Sequence, residues 1–568
     1  EQPNSLYDPN GSFQSINRRY DIVYGDVMLN FNYNINRFDI AATVGWTGRY
    51  ENMNNMRVST NGGLVTENWF DLNASRYTPS STLQRMELLK TGYMGTLSLG
   101  WDNYLFLELT GRQERSSTLK DQSFFYPSAN LSFLFTQAFH MPSWWNYGKL
   151  RLSYGIVGNA PETYTANIVY EQGSDNGFTW NTIPSSWGNA DIRPEKKYEY
   201  EIGLESKFLN NRLGIDISYY NNRVKDQILS TPQPSTSGVK NVLMNVGEVA
   251  NRGWDISISA TPILTRDFRW DLTANYGVYK NKVVKLADGV PYLEILNSGG
   301  SGIKIQAVEG QPMGDIYAQV PQVNENGEYL VSDKGLYLNQ TELQKVGNIN
   351  PAGVGGLFNS FSYKNVFLDF SIDFRIGGDV INEMNQYATA VGLTPESLKY
   401  RDTEHGGLSY YYPGDNNSSG IPVQVDPSTG AGPNGEIIYH DGIILPGVVA
   451  STGERNTRII PAGYYYNTTY NWGTEAEQLT YRHSVFDNSY VKLRELTIGY
   501  QFPEKMISKL GLGRLSVSVF GRNLFYFYKA LKNYDAESSV GTSWANQATV
   551  GSSTTATRSF GVSLRASF

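Results

Sequence analysis

Apolar and polar residues alternate one by one along much of this chain, and the alternation comes in pairs of segments. Val27, Leu29, Phe31 and Tyr33 are interleaved with Met28, Asn30, Asn32 and Asn34; after a short break Phe38, Ile40, Ala42, Val44 and Trp46 repeat the pattern. A period of two is the mark of a β-strand with one apolar and one polar face. The same signal predicts strand pairs at 93–99 and 105–109, 129–135 and 150–156, 198–204 and 213–219, and 254–260 and 268–276. It continues at 357–363 and 368–376, at 496–502 and 515–519, and in a last strand over 560–568. Strands over 366–376 and 560–568 would turn Phe370, Phe374, Leu564 and Phe568 to one side. The phase slips once, between Leu493 and Leu496, so Arg494-Glu495 is expected to form a β-bulge.

The connections alternate too. Short turns are expected at 35–37, 101–103, 138–148, 209–212, 262–267, 364–365 and 503–513. Longer, more polar segments lie between, at 48–84, 113–127, 158–196, 222–252, 283–354, 379–489 and 525–557. Short turns on one rim and long loops on the other are the layout of an all-β, antiparallel transmembrane β-barrel, with short periplasmic turns and long extracellular loops. The strand over 366–376 decides which solvent each face meets. Its polar side carries Asp369, Asp373 and Arg375. Each charge at the bilayer centre would cost up to ~2–4 kcal/mol, so that side is expected to face the lumen and the Leu/Phe/Ile side lipid. A soluble barrel with an apolar interior fails on size, because side chains fill only a small one. The strands number about fifteen, whereas single-chain bacterial barrels have an even count. The whole chain, 1–568, is therefore expected to be the C-terminal part of a larger barrel, with an odd number of leading strands absent.

Composition agrees and excludes other classes. Of 568 residues only 18% are charged, against about a quarter in ordinary soluble domains. There are 40 Tyr, 11 Trp and 56 Gly. No apolar run approaches the ~18 residues of a membrane helix. The opening EQPNSLYDPN is polar and unlike a signal peptide, as expected of a mature or shortened chain. The absence of Cys excludes disulfide and thiolate metal sites, and a net charge of -7 argues against nucleic acid.

Catalytic constellations are not evident, and neither an enzyme nor a cofactor is expected. His140, His405, His440 and His483 have no metal spacing, and His440-Asp441 adjacency does not build a triad. Asn324 to Glu328 has a faint likeness to a calcium loop, but Asn326-Gly327 between Val323 and Tyr329 favours a β-turn. Trp46, Trp101, Trp144, Trp145 and Tyr147 lie at strand ends, as in an interfacial girdle. Trp180, Trp187, Tyr410, Tyr411, Tyr412, Trp472 and Trp544 lie in long loops. There an aromatic face could stack on a sugar ring while Asp369, Asp373 and Arg375 meet hydroxyls on the lumen side. The plainer use of those rings is packing of the loops themselves.

From about Tyr93 to Phe568 the chain carries, among others, GKLRLSYGIVGNA (148–160), NVGEVANRGWDISISATPI (245–263) and NSYVKLRELTIGYQFPEKMISKLGL, stretches that in this order resemble the SusC-like TonB-dependent transporters of Bacteroidetes. GKLRLSYGIVGNA (148–160) is similar to its K-L-R-x-S-Y-G-x-x-G-N block. RPEKKYEYEIGLESKFLNNRLGIDISYYNNRVKDQIL (193–229) and NVGEVANRGWDISISATPI (245–263) resemble its next two strand signatures, with Asp255 replacing the usual Glu. NPAGVGGLFNSFSYKNVFLDFSIDFRIGGDVIN and NSYVKLRELTIGYQFPEKMISKLGL resemble its last hairpins, whereas RSSTLK (115–120) departs from its D-G-S-S. The resemblance implies a 22-stranded barrel, of which this chain would hold strands eight to twenty-two, and an N-terminal plug. It implies coupling to TonB-ExbB-ExbD through a missing N-terminal part, a SusD-like lipoprotein over the outer rim, and the cell outer membrane as location. The implied function is active import of oligosaccharides. Import of peptides, or a passive porin or surface-adhesion barrel, is the alternative.

Overall fold

The computed structural model describes residues 10–120, 123–175, 178–298, 302–414, 420–471, 480–539, 541, 543–551 and 556–567. Fifteen long strands dominate it: β1 (Gln14–Ile35), β2 (Phe38–Leu64), β3 (Ser75–Trp101), β4 (Leu105–Ser116) and β5 (Ser123–Phe133). They continue as β6 (Trp145–Asn159), β7 (Glu195–Phe208), β8 (Leu213–Lys225), β9 (Glu248–Leu264) and β10 (Phe268–Lys285). The last five are β11 (Gly353–Tyr363), β12 (Val366–Ile376), β13 (Tyr490–Gln501), β14 (Arg514–Lys529) and β15 (Ser559–Ser567). They form one 15-stranded sheet in sequence order, an antiparallel meander. Every strand expected from the alternation is present. β1 and β15 stand at the two ends of that order with one neighbour each. Phe568 lies outside the described residues.

The short turns reverse the chain with residues suited to left-handed backbone. Asn36, Asp102, Asn103, Asn210 and Asn211 have φ between 51° and 62°, a conformation that Asn and Asp tolerate better than other non-Gly residues. One segment differs from expectation. Most of 48–84 is strand: β2 and β3 each run 27 residues and pair from Phe38–Trp101 to Leu64–Ser75. The sequence there (ENMNNMRVSTNGG) is polar on both faces, so it carries no period-two signal. About 9–11 residues cross a bilayer, and at ~3.3 Å per residue the remainder of each strand extends far beyond it.

The chain divides into two compact units. The first comprises Glu1–Ser206, Ser218–Asn251 and Lys285–Val290; the second Lys207–Ile217, Arg252–Val284 and Pro291–Phe568. In the first, the long connections build a small sheet of Ile228–Pro232, Asn241–Asn245 and Ser186–Trp187, over a core of Leu119, Phe124, Ala166 and Ile192. In the second they build a four-stranded sheet, Tyr292–Ser298, Ile303–Val308, Asp315–Ala318 and Gln344–Asn348. Ile303, Ile305 and Ile316 of that sheet pack with Ile381, Tyr481, Val485 and Ala548 from later connections. The buried hydrophobic core thus lies in the connections.

Register separates the two faces of the sheet. Trp270 stacks on Phe361 at 5.5 Å, Phe361 on Phe370 at 6.0 Å and Tyr276 on Phe374 at 6.2 Å. On β15 the apolar face is bare: Phe560, Val562 and Leu564 are 73%, 71% and 70% exposed. Asp369 and Asp373 lie on the opposite face from Phe370, where Asp369 accepts a 2.6 Å hydrogen bond from Ser360 Oγ.

Candidate functional site

The phase slip in β13 is a bulge with a purpose. Ser371 of β12 faces Glu495 and Ile372 faces Leu493; on the other side Leu493 faces Phe525 and Glu495 faces Arg522. Arg494 therefore has no opposite residue on either neighbour. A bulge re-aims the side chain it carries, and Arg494 meets three partners. Its Nε lies 2.5 Å from Asp373 Oδ2, and its Nη1 donates to Asn523 Oδ1 at 3.0 Å. Nη1 and Nη2 also reach both oxygens of Glu537, at 2.9 and 2.5 Å. That two-pronged contact is the geometry in which guanidinium holds carboxylate most strongly.

Lys492 completes the cluster. Its Nζ is 2.5 Å from Glu537 Oε2 and 4.8 Å from the Tyr526 ring centre, and the side chain is 1% exposed. A buried ammonium is tolerated only when paired; here the pairing comes from a carboxylate and a ring. Tyr526 donates to Asp535 Oδ1 at 2.9 Å, which also accepts the Glu537 backbone N–H at 2.9 Å. The loop after β14 is anchored at the same place: Leu531 and Ala536 are buried, and Asn488 Nδ2 donates to the Ala536 carbonyl at 2.9 Å. Burial alone would push the Glu537 carboxyl up, but Arg494 and Lys492 outweigh it and hold it at about 2.

The other expected site residues separate. Trp180 sits on the hairpin Glu171–Asp175/Phe178–Thr182, opposite Gly173 and 46% exposed. Trp187 is half-buried and edge-on to Tyr170 at 5.8 Å. Trp544 is 38% exposed, its ring beside Gly314. Tyr410, Tyr411 and Tyr412 are buried. Tyr410 stacks on Tyr439 and stands edge-on to Tyr412, both at 5.5 Å, so those rings spend their faces on one another. Trp472 lies outside the described residues. Arg375 donates to the carbonyls of Gly377 and Ile349 at 3.2 and 3.0 Å, bracing the exit from β12. Asp373 is the expected residue that the fold gathers with new partners. Lys492, Arg494, Tyr526, Asp535 and Glu537 were not foreseen; the phase slip at Arg494 was their one trace in the sequence.

Two weaker features resolve. Asn324 Oδ1 accepts the backbone N–H groups of Asn326 and Glu328 at 3.0 and 2.9 Å, and Val323 bridges Tyr329, as a hairpin turn requires. Ser409 Oγ lies 2.8 Å from His440 Nδ1, but Asp441 accepts from Tyr410 instead of orienting the imidazole. Among the described residues no group of three His, Cys, Asp or Glu could hold a metal ion. In the first unit a cavity of about 270 Å³ opens between Lys225, Asp226, Glu248 and Lys285.

A sheet of this order, apolar on one side and charged on the other, matches a known family. The model of that family, TonB dependent receptor-like, beta-barrel, aligns with residues 1–322. The chain belongs to this family of outer-membrane β-barrels. The chain is 24% identical over 494 residues to TonB-dependent receptor P3 of Formosa agariphila, covering 79% of this chain and 42% of that protein. It is 30% identical over 247 residues to TonB-dependent receptor SusC of Bacteroides thetaiotaomicron, covering 40% of this chain and 24% of that one. In fold it is similar to the structure titled "Structure of the RagAB peptide transporter", with TM-score 0.67, 18% identity and coverage of 92% of this chain and 54% of that one. The chain thus spans about half or less of these relatives' length. No helix among the described residues is long and apolar enough to cross a membrane.

Proposed function

We propose that this chain forms wall and outward loops of an outer-membrane transporter that takes up oligosaccharides actively, driven by TonB-ExbB-ExbD and working with a SusD-like surface lipoprotein. The observation that carries this is the charged cluster of Asp373, Arg494, Lys492 and Glu537, set on the polar face where the folded connections meet the wall. A passive pore needs no loops with cores of their own, and long loops without a role are uncommon. The exposed Trp180 and Trp544 are proposed to stack on substrate, with Asp369, Asp373 and Arg375 meeting polar groups below. Tyr410, Tyr411 and Tyr412 would serve by shaping the loop and Trp187 by bracing Tyr170; Trp472, outside the described residues, is kept as a proposed substrate contact. The edges of β1 and β15 are proposed to be completed by further strands, since lipid cannot satisfy open backbone groups. Peptide uptake is the second reading, favoured by the TM-score of 0.67 to a peptide transporter.

Uptake of fluorescent malto-, xylo-, galacto- and galacturono-oligosaccharides, and of peptides of similar mass, separates the readings in cells with the gene deleted or restored. Gene-dependent, gradient-dependent sugar uptake is expected. Uptake of peptides alone would replace the substrate, and uptake that survives collapse of the proton gradient would sink active import.

A further inference from the structure

Glu537 is the one member of the charged cluster that the connection after β14 supplies to the two cations of β13. Its carboxylate is held as a ligand would be, by a two-pronged guanidinium and an ammonium. Arg494 and Glu537 are 31% and 29% exposed, so the contact opens onto the polar face, while Lys492 behind it is 1% exposed. The loop backbone is fixed independently, by buried Leu531 and by Asn488 on the Ala536 carbonyl. The Glu537 side chain can therefore swing out without the loop leaving. Were it to leave alone, Lys492 would keep the Tyr526 ring and Arg494 would keep Asp373 and Asn523 among the described residues. The arrangement favours exchange of one carboxylate for another.

We propose that Arg494 and Lys492 form a carboxylate-binding fork in the wall, that Glu537 is its resident occupant, and that a carboxylate on the imported molecule displaces Glu537. This rests on the import reading and narrows its substrate to carboxylate-bearing molecules, whether the acid is a uronate or a peptide carboxyl. A neutral sugar or an ester cannot replace Glu537, because neither supplies the charge that a buried ammonium requires. The bulge leaves Arg494 without an opposite residue on either neighbouring strand, close to Lys492 and Asp373.

The test uses the full-length protein purified in detergent, with tetragalacturonate, its methyl ester, N-acetyltriglycine and N-acetyltriglycine amide as probes. Wild type should bind at least one acid in preference to its neutral counterpart. Glu537→Gln should bind that acid about fivefold tighter or more, because an internal competitor is removed, with the neutral probe unchanged. Arg494→Gln should lose the preference. Which acid responds tells uronate from peptide carboxyl. Should Glu537→Gln fail to assemble, Glu537→Asp, which keeps the charge but shortens the reach, should give a smaller gain of the same sign. Equal binding of acid and neutral probes by wild type would overturn the proposal, as would unchanged acid affinity in both Glu537 variants. If neutral oligosaccharides are imported while no acid is preferred, import stands and the fork falls. If acids bind with this preference but no uptake depends on the gene, the fork stands and import falls.

Discussion

Trp270 and Asn359 place a polar contact where the alternation calls for apolar residues. Asn359 lies opposite Leu272 on the apolar face, yet it is 8% exposed, because Trp270 covers it and donates its indole N–H to Oδ1 at 3.1 Å. Trp270→Phe keeps the cover and removes the donor, and is expected to cost about 1–3 kcal/mol. Adding Asn359→Leu should restore most of that, since removing both partners of a buried bond is nearly neutral; unfolding midpoints in micelles measure both. His483 makes a second test at this scale. It stacks on Tyr470 at 4.3 Å, and burial, with Arg482 adding to it, pulls its pKa from 6.5 to about 4. The unfolded chain thus binds the extra proton first. Stability of the segment between β12 and β13 should be flat above about pH 6.5 and fall as pH drops toward about 4. His483→Phe keeps the stack and should remove that part of the acid sensitivity, read by protease resistance of the segment at pH 7 and pH 5.

Strand identity was legible because sheet geometry is local. A period of two needs only the residue and its neighbours, and lipid on one side with charge on the other sharpened it. On β12, Phe370 and Ser371 are adjacent but face different solvents. Phe370→Arg should lose about 2–4 kcal/mol if it sits near the bilayer midplane. Ser371→Arg should be close to neutral; the assembled, heat-modifiable fraction on gels distinguishes them, and equal losses would refute the face assignment. The upper halves of β2 and β3 escaped because both their faces are wet. Their pairing rests on the neighbouring strand's hydrogen bonds, which leave no mark on hydrophobicity.

At the scale of the molecule, the short-turn and long-connection rims can be told apart directly. A protease site inserted at Gly62-Gly63 should be cut in intact cells, and one inserted at Asn210-Asn211 should not, if the long connections face outward. The order of strands also leaves β1 and β15 with one neighbour each. Residues 1–568 refolded alone in micelles are expected to associate through those edges, because each presents a row of unpaired N–H and C=O groups. A monodisperse monomer would count against that.

Sequence alone determined the fifteen strands, their order of appearance, the separation of apolar and polar residues onto opposite faces and the place of the bulge, since each follows from neighbours along one strand. What the bulge was for, and which aromatics remained available, only the tertiary structure decided. Arg494 meets Asp373 across 121 residues, and Lys492 meets Glu537 across 45. Such contacts depend on where loops return in space, and no local period encodes that return. The same return buries Tyr410 and Tyr412 against Tyr439 and leaves Trp180 and Trp544 in solvent, although all of them read alike as aromatic residues in polar loops.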